Sequence, residues 1–166
     1  MFDLVGRDRE RTQRMAGAMN FMQSRPAHSV QHVIKNFQWG DASEGLTVDV
    51  GGGRGEVAKE IARSFPGIKC VVQDLPEVIE GADVPEDLRS EKRLQFMSHD
   101  FFKAQPVKGA EFYFLRWILH DWSDKYAMKI IQSLIPALKK GARVLVSDLC
   151  LPAPCTLSPY KERSAR

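Results

Sequence analysis

Asp49-Val-Gly51-Gly-Gly53-Arg-Gly55 is the first stretch of this chain whose residue types and spacing suit chemistry. It joins an apolar run to an amphipathic one, as a strand–turn–helix would. Glycines let the backbone turn sharply and let a ligand approach the main chain. Such a turn lies at the carboxyl edge of a parallel sheet, where open α/β folds bind ligands. A Walker-type phosphate loop is excluded, because no Gly-Lys-Ser/Thr follows. The strict dinucleotide pattern started at Gly51 fails at Glu56, while the relaxed form fits Gly53, Gly55 and Ala58. Glycines alone therefore leave a nicotinamide cofactor open. Glu56, in the first helical turn, would face a pyrophosphate unfavourably. A ligand with a cationic amine or sulfonium would prefer the acidic neighbourhood of Glu56 and Asp49. Asp74 ends the next apolar run, where such folds place a ribose-binding acid. Its carboxylate can accept from both ribose hydroxyls. Asp100, in Ser98-His-Asp-Phe-Phe102, suits an adenine amino group, with Phe101 stacked on the ring.

The elements that must hold these residues follow from periodicity. Met15, Met19 and Met22 recur at helical spacing and predict a helix over about 9–23, ending before Pro26. A second short helix is predicted over about 29–36, then a polar linker over 40–45. Strands are predicted over 46–50, 68–73, 93–98, 110–115 and 142–147. Helices are predicted over 56–65, over 76–81 and over about 124–139. Ser123 and Asp124 can cap the last of these, Ile130, Ile131, Leu134, Ile135 and Leu138 form its apolar side, and Gly141 ends it. Residues 81–91 read as an acidic, irregular connection. Alternating strands and helices with apolar strands predict an α/β, Rossmann-like, doubly wound and mostly parallel sheet. The division is a helical lead-in over 1–45, a ligand-binding domain over 46–153 and a disordered tail over 154–166.

Composition sets the class. The 166 residues suit one domain, and 43% hydrophobic with 27% charged residues is ordinary for a soluble one. The 24 Lys+Arg against 21 Asp+Glu leave +3, of which the last six residues carry +2 (Lys161, Arg163 and Arg166 against Glu162). The near-neutral remainder argues against nucleic acid or a membrane surface as partner. Cys70, Cys150 and Cys155 show no CxxC spacing and read as reduced thiols. No run approaches the ~20 apolar residues of a membrane span. The first residues do not resemble a signal peptide, so the default location is cytoplasmic.

Four segments in order, Asp49–Gly55, Gln73-Asp-Leu-Pro76, His99-Asp-Phe-Phe102 and Leu115-Arg-Trp-Ile-Leu-His-Asp-Trp-Ser-Asp124, resemble the S-adenosylmethionine-dependent O-methyltransferases of the plant caffeate/flavonoid type. The wording is closest to fungal secondary-metabolism members, and the likeness covers about residues 10–153. It implies the class I methyltransferase fold and S-adenosyl-L-methionine as cofactor. The implied cofactor-binding set is Asp49, Gly51, Gly53, Asp74, Leu75, Asp100, Phe101 and Arg116. Gly51 would meet the methionine part, Asp74 the ribose, and Asp100 with Phe101 the adenine. Arg116 stands where the family usually has a Lys, a swap that keeps charge but not geometry. Met15 and Met19 match a segment that covers cofactor and substrate, although core packing suits them better.

His120 falls on the family's catalytic base. The substrate class is a small aromatic carrying a hydroxyl. A phenol with pKa near 10 is mostly protonated at neutral pH. An imidazole within ~3 Å can take that proton as the oxygen attacks the methyl. No metal is required, and Asp121 beside His120 lacks a third ligand. The family flanks its base with two acids. Asp148 aligns with the first and is shorter than the usual Glu; the second would lie beyond residue 166. His28, His32 and His99 read as structural. The family's N-terminal dimerisation domain, last helix and two closing strands have no counterpart here, so the expected sheet is incomplete at its C-terminal edge. The family homodimer would lack its usual interface. An inactive cofactor-binding remnant is therefore the alternative reading, and a nicotinamide oxidoreductase a third.

Overall fold

The computed structural model describes residues 14, 17, 18, 21, 28–39, 45–89, 91–148 and 158. Of the predicted first helix, Arg14, Gly17, Ala18 and Phe21 are helical. Met15, Met19, Met22, Cys150, Cys155, linker positions 40–44 and the rest of the tail lie outside the described residues. In chain order the elements are α1 (Gln31–Asn36), β1 (Gly45–Val50), α2 (Glu56–Ser64), β2 (Ile68–Asp74), α3 (Pro76–Ile79), α4 (Glu86–Arg89), β3 (Leu94–Ser98), β4 (Phe112–Arg116), α5 (Asp124–Leu134) and β5 (Arg143–Ser147). Short 3-10 turns cover Leu119–Asp121 and Ile135–Ala137.

The five strands form one sheet in the order β3-β2-β1-β4-β5, with every adjacent pair parallel. This is the expected α/β topology. The central strands are apolar nearly throughout because both faces are covered. Alternate side chains enter opposite cores. Phe112, Phe114 and Val72 join Ala58, Ile61 and Trp39 on one face. Val48, Val50, Tyr113 and Leu115 join Ile130 and Leu134 on the other. Register then aligns the strand ends: Val50 pairs with Gln73 and Leu115, Asp74 with Ser98, and Arg116 with Ser147. One edge thus collects Asp49, Asp74, Arg116 and the residues that follow β3, β4 and β5.

Three expectations change. The last long helix stops at Leu134, not near 139, because Pro136 has no N–H to continue the ladder. Its predicted apolar side splits accordingly: Ile130 is fully buried, whereas Ile135 is 59% exposed. The connection over 81–91 contains α4, which buries Leu88 and holds Arg89 against Asp83 and Glu86. Ser123 is the N-cap of α5, but its carbonyl, not its hydroxyl, accepts the Tyr126 and Ala127 N–H groups. Among the described residues no helix is long and apolar enough to cross a membrane. Cys70 is buried, and burial pushes its thiol up to about 12.

Ile130→Ala is expected to lower stability by about 2–5 kcal/mol through the cavity it leaves. Ile135→Ala is expected to change it by less than about 0.5 kcal/mol. Urea unfolding of the two variants checks both.

Candidate functional site

The glycine turn is folded back onto the end of β2. The N–H groups of Gly51 and Gly52 both donate to the Gln73 carbonyl, at 2.8 and 3.0 Å. A Cβ at Gly52 would lie 2.4 Å from Asp49 Oδ2 and 3.0 Å from Val72, so the side chain of β1 occupies the space a residue there would need. Gly53 has φ +59, and a Cβ on it would meet nothing within 4 Å. Here the glycine serves the backbone conformation, and the outer face of the turn is open. Gly51 is instead roofed by Ile118 and Phe101.

Charge at this edge is buried and under-partnered. Asp49 is 2% exposed, and its Oδ2 has no hydrogen-bond partner. Burial, then the nearby Asp74 carboxylate, pushes its pKa up to about 7, against the opposing pull of Arg116. Arg116 Nη2 donates to the His28 carbonyl, while Nε and Nη1 are buried without partners. Burial lowers the Arg116 pKa and Asp49 raises it. Its guanidinium stacks 4.9 Å from the Trp117 ring centre. Trp117 itself has φ 55, a left-handed conformation unusual for an aromatic residue. Glu56, counted with Asp49 as one acidic neighbourhood, instead pairs with Lys59 at 2.9 Å.

Asp74 is anchored by backbone. Its Oδ2 accepts from Gly53 N–H and its Oδ1 from Leu75 N–H, both at 2.8 Å. A carboxylate has about four acceptor positions, so each oxygen retains one beyond these bonds. Burial raises the Asp74 pKa, and the two backbone bonds oppose it. Leu75 is 38% exposed beside it. Asp100 Oδ1 accepts from Phe102 N–H at 3.0 Å, closing the turn after β3. Phe101 packs edge-on against Trp122, with ring centres 6.0 Å apart, and its carbonyl accepts from Ser133 Oγ.

His120 sits on the 3-10 turn beyond β4, its side chain 29% exposed and its Nε2 3.7 Å from Asp121 Oδ1. Asp148, just past β5, accepts the N–H groups of Ile118 and Leu119 at 3.2 and 3.1 Å. It acts on the backbone that carries His120. The edge therefore brings together Asp49, Gly51, Gly53, Asp74, Leu75, Asp100, Phe101 and Arg116, with His120 on the adjoining turn and Asp148 bonded to that turn from the end of β5.

Sequence reasoning missed Gln73 and Gln105. Their side-chain amides bond reciprocally at 2.9 and 2.8 Å, and they are 1% and 2% exposed. The available signal was a lone amide at the end of the otherwise apolar Cys70-Val-Val-Gln73. Among the described residues His99 is half-buried with its Nε2 covered and unpartnered, and this partial burial lowers its pKa.

A family model described as an O-methyltransferase domain matches residues 1–162. The O-methyltransferase kk1A of Curvularia clavata is 42% identical over 166 residues, which is all of this chain and 39% of that protein. Human N-acetylserotonin methyltransferase, solved with S-adenosylmethionine, superposes with TM-score 0.80 at 28% identity, over 98% of this chain and 45% of that one. An O-methyltransferase of neocarzinostatin biosynthesis, solved with S-adenosyl-L-homocysteine and 1,4-dihydroxy-2-naphthoic acid, superposes with TM-score 0.74 at 26% identity, over 87% and 43% of the two chains. The chain thus spans about two-fifths of the length of the curated relative it matches.

The protonation preference of Asp49 stabilises the fold fully below its unfolded value of 3.8 and is lost as pH rises towards about 7. Asp49→Asn stays neutral throughout. Its stability relative to the parent chain is expected to rise between about pH 4 and 7 and then level off. Thermal unfolding across pH checks this; a constant difference would contradict it.

Proposed function

The chain belongs to the O-methyltransferase domain family, and from that premise we propose that it binds S-adenosyl-L-methionine and methylates a hydroxyl, phenolic in kind, of a small aromatic secondary metabolite. The observation that carries this reading is the pair of orphaned polar groups at the sheet edge. Asp49 Oδ2 lacks a donor, and Arg116 Nε and Nη1 lack acceptors. Buried polar groups are rarely left so. The α-amino acid end of this cofactor offers an ammonium to the first and a carboxylate to the second. Gly53 gives the main chain an open approach. The outward acceptor positions of Asp74, beside Leu75, suit the ribose hydroxyls, and Asp100 with Phe101 suits the adenine. The residues therefore fit the group.

When bound, the cofactor supplies an electrophilic methyl on a positively charged sulfur. Asp49 and Arg116 fix its amino acid end by opposite charges, and Asp74 fixes its sugar. His120 Nε2 takes the proton from the substrate hydroxyl, which raises the nucleophilicity of that oxygen. Asp148 is a positioning residue. It holds the Ile118 and Leu119 N–H groups and so sets where the His120 turn stands. Solved relatives with bound S-adenosylmethionine, or with S-adenosyl-L-homocysteine and a dihydroxynaphthoic acid, support the cofactor and the substrate class.

Titration calorimetry with S-adenosyl-L-homocysteine is the direct test, followed by methyl transfer onto a panel of phenols. No binding would end the reading; binding without transfer to any phenol would favour a cofactor-binding role alone. His120→Gln is expected to lower kcat by about 10²–10⁴-fold with affinity for S-adenosyl-L-homocysteine unchanged. Affinity should also strengthen as pH rises through about 7, because Asp49 must ionise to pair with the ammonium. Asp49→Asn should bind more weakly and flatten that profile.

A further inference from the structure

The buried amide pair of Gln73 and Gln105 is not used by the chemistry above, yet it joins the two walls of the proposed cofactor site. Gln73 Nε2 donates to Gln105 Oε1 at 2.9 Å, and Gln105 Nε2 donates to Gln73 Oε1 at 2.8 Å. Gln105 Oε1 also accepts Val107 N–H, and Gln73 Nε2 lies 3.4 Å from Met97 Sδ. The backbone carbonyl of the same Gln73 accepts Gly51 and Gly52 N–H. One residue thus grips the glycine turn by its main chain and the loop after β3 by its side chain. That loop carries Asp100 and Phe101, and it is tied separately to α5: Gln105 N–H donates to the Ser133 carbonyl, and the one Ser133 Oγ proton is shared between the Phe101 carbonyl at 2.8 Å and the Ile130 carbonyl at 2.7 Å.

Apolar residues would fill this space with less desolvation cost, so two buried amides need another reason. Reciprocal amide bonds are directional and admit one mutual arrangement, which apolar packing does not impose. We propose that Gln73 and Gln105 are positioning residues that lock the glycine turn to the 99–107 loop, so that the amino acid and adenine ends of the cofactor meet walls at a fixed separation. This rests on the cofactor reading above. Its structural half, the coupling of turn to loop, stands on the ligand-free chain.

Hydrogen exchange of the ligand-free protein reads the coupling directly, in peptides covering residues 50–55 and 99–107. Gln105→Leu removes one amide and orphans the other. Exchange is expected to quicken about tenfold in both peptides, and affinity for S-adenosyl-L-homocysteine to fall about tenfold. Ser133→Ala cuts the Phe101 tie without touching the pair, and should quicken exchange in 99–107 alone. Gln105→Met keeps the approximate volume but offers neither a donor to Gln73 Oε1 nor an oxygen acceptor to Gln73 Nε2. It should loosen both peptides and keeps the test valid where Gln105→Leu does not fold. The proposal is overturned if either folded Gln105 variant leaves the 50–55 peptide at the parent rate, or if Ser133→Ala loosens that peptide equally. A parent chain that binds no S-adenosyl-L-homocysteine, with its turn still loosened by Gln105→Leu, would overturn the cofactor reading and leave the coupling standing.

Discussion

The carbonyl oxygen of Gln73 receives two N–H groups, from Gly51 and Gly52, at the point where β1 has ended and α2 has not begun. A carbonyl has two lone pairs, and here both are used on one turn. That sharing fixes how β1 leaves the sheet, and with it the start of α2 at Glu56. It also depends on register. Val50 must stand opposite Gln73 for the geometry to exist. A slip of one residue would exchange the faces of β2 and carry Gln73 away from Gln105. The apolar patterning of both strands opposes such a slip. Core packing and site geometry are therefore one constraint, expressed on two sides of the same strand end.

The same edge concentrates charge in a place that does not favour it. Asp49 lies under Gly52, Asp74 is raised by burial, and Arg116 is lowered by it. Folding alone would be served better by neutral residues at these positions. A carboxyl near its midpoint at neutral pH and a guanidinium with two orphaned donors are arrangements that a zwitterionic ligand would relieve. Trp117 adds backbone strain of about 1–2 kcal/mol next to Arg116. Charged groups break local rules where strands β1 and β4 end, whereas inside β1 the exception is the neutral hydroxyl of Thr47, buried without a partner. Such concentration of conflicts is the expected mark of a site.

The sheet was legible because its strands are short apolar runs separated by turn residues. All five fall within about two residues of their predicted bounds, and the glycine turn falls where its sequence puts it. The end of α5 was misjudged because Ile135 and Leu138 keep helical periodicity beyond Pro136, and periodicity alone does not register a missing N–H. Asp74 and Asp100 were legible as acids at strand ends. That Asp74 would also brace Gly53 was not, since the bond spans 21 residues and arises only from parallel pairing. Gln73 was passed over for the same reason: its partner lies 32 residues on, in a loop with no periodic signal. Long-range polar pairs have no local pattern to read.

The relation of Asp148 to His120 shows how position can matter more than contact. The turn at Leu119–Asp121 begins with N–H groups that no earlier helix residue can satisfy. The carboxylate of Asp148 supplies acceptors for two of them, and it arrives there because β5 runs parallel to β4, with Ser147 opposite Arg116. Its shortness, a drawback for reaching an imidazole, suits this backbone role. The consequence runs outward to the sheet edge. β5 pairs only with β4 among the described residues, and its Val144 and Val146 are substantially exposed. The placement of His120 therefore rests on an edge strand, through a carboxylate one residue past its end. Any interaction that firms β5 also firms the turn that carries the proposed base.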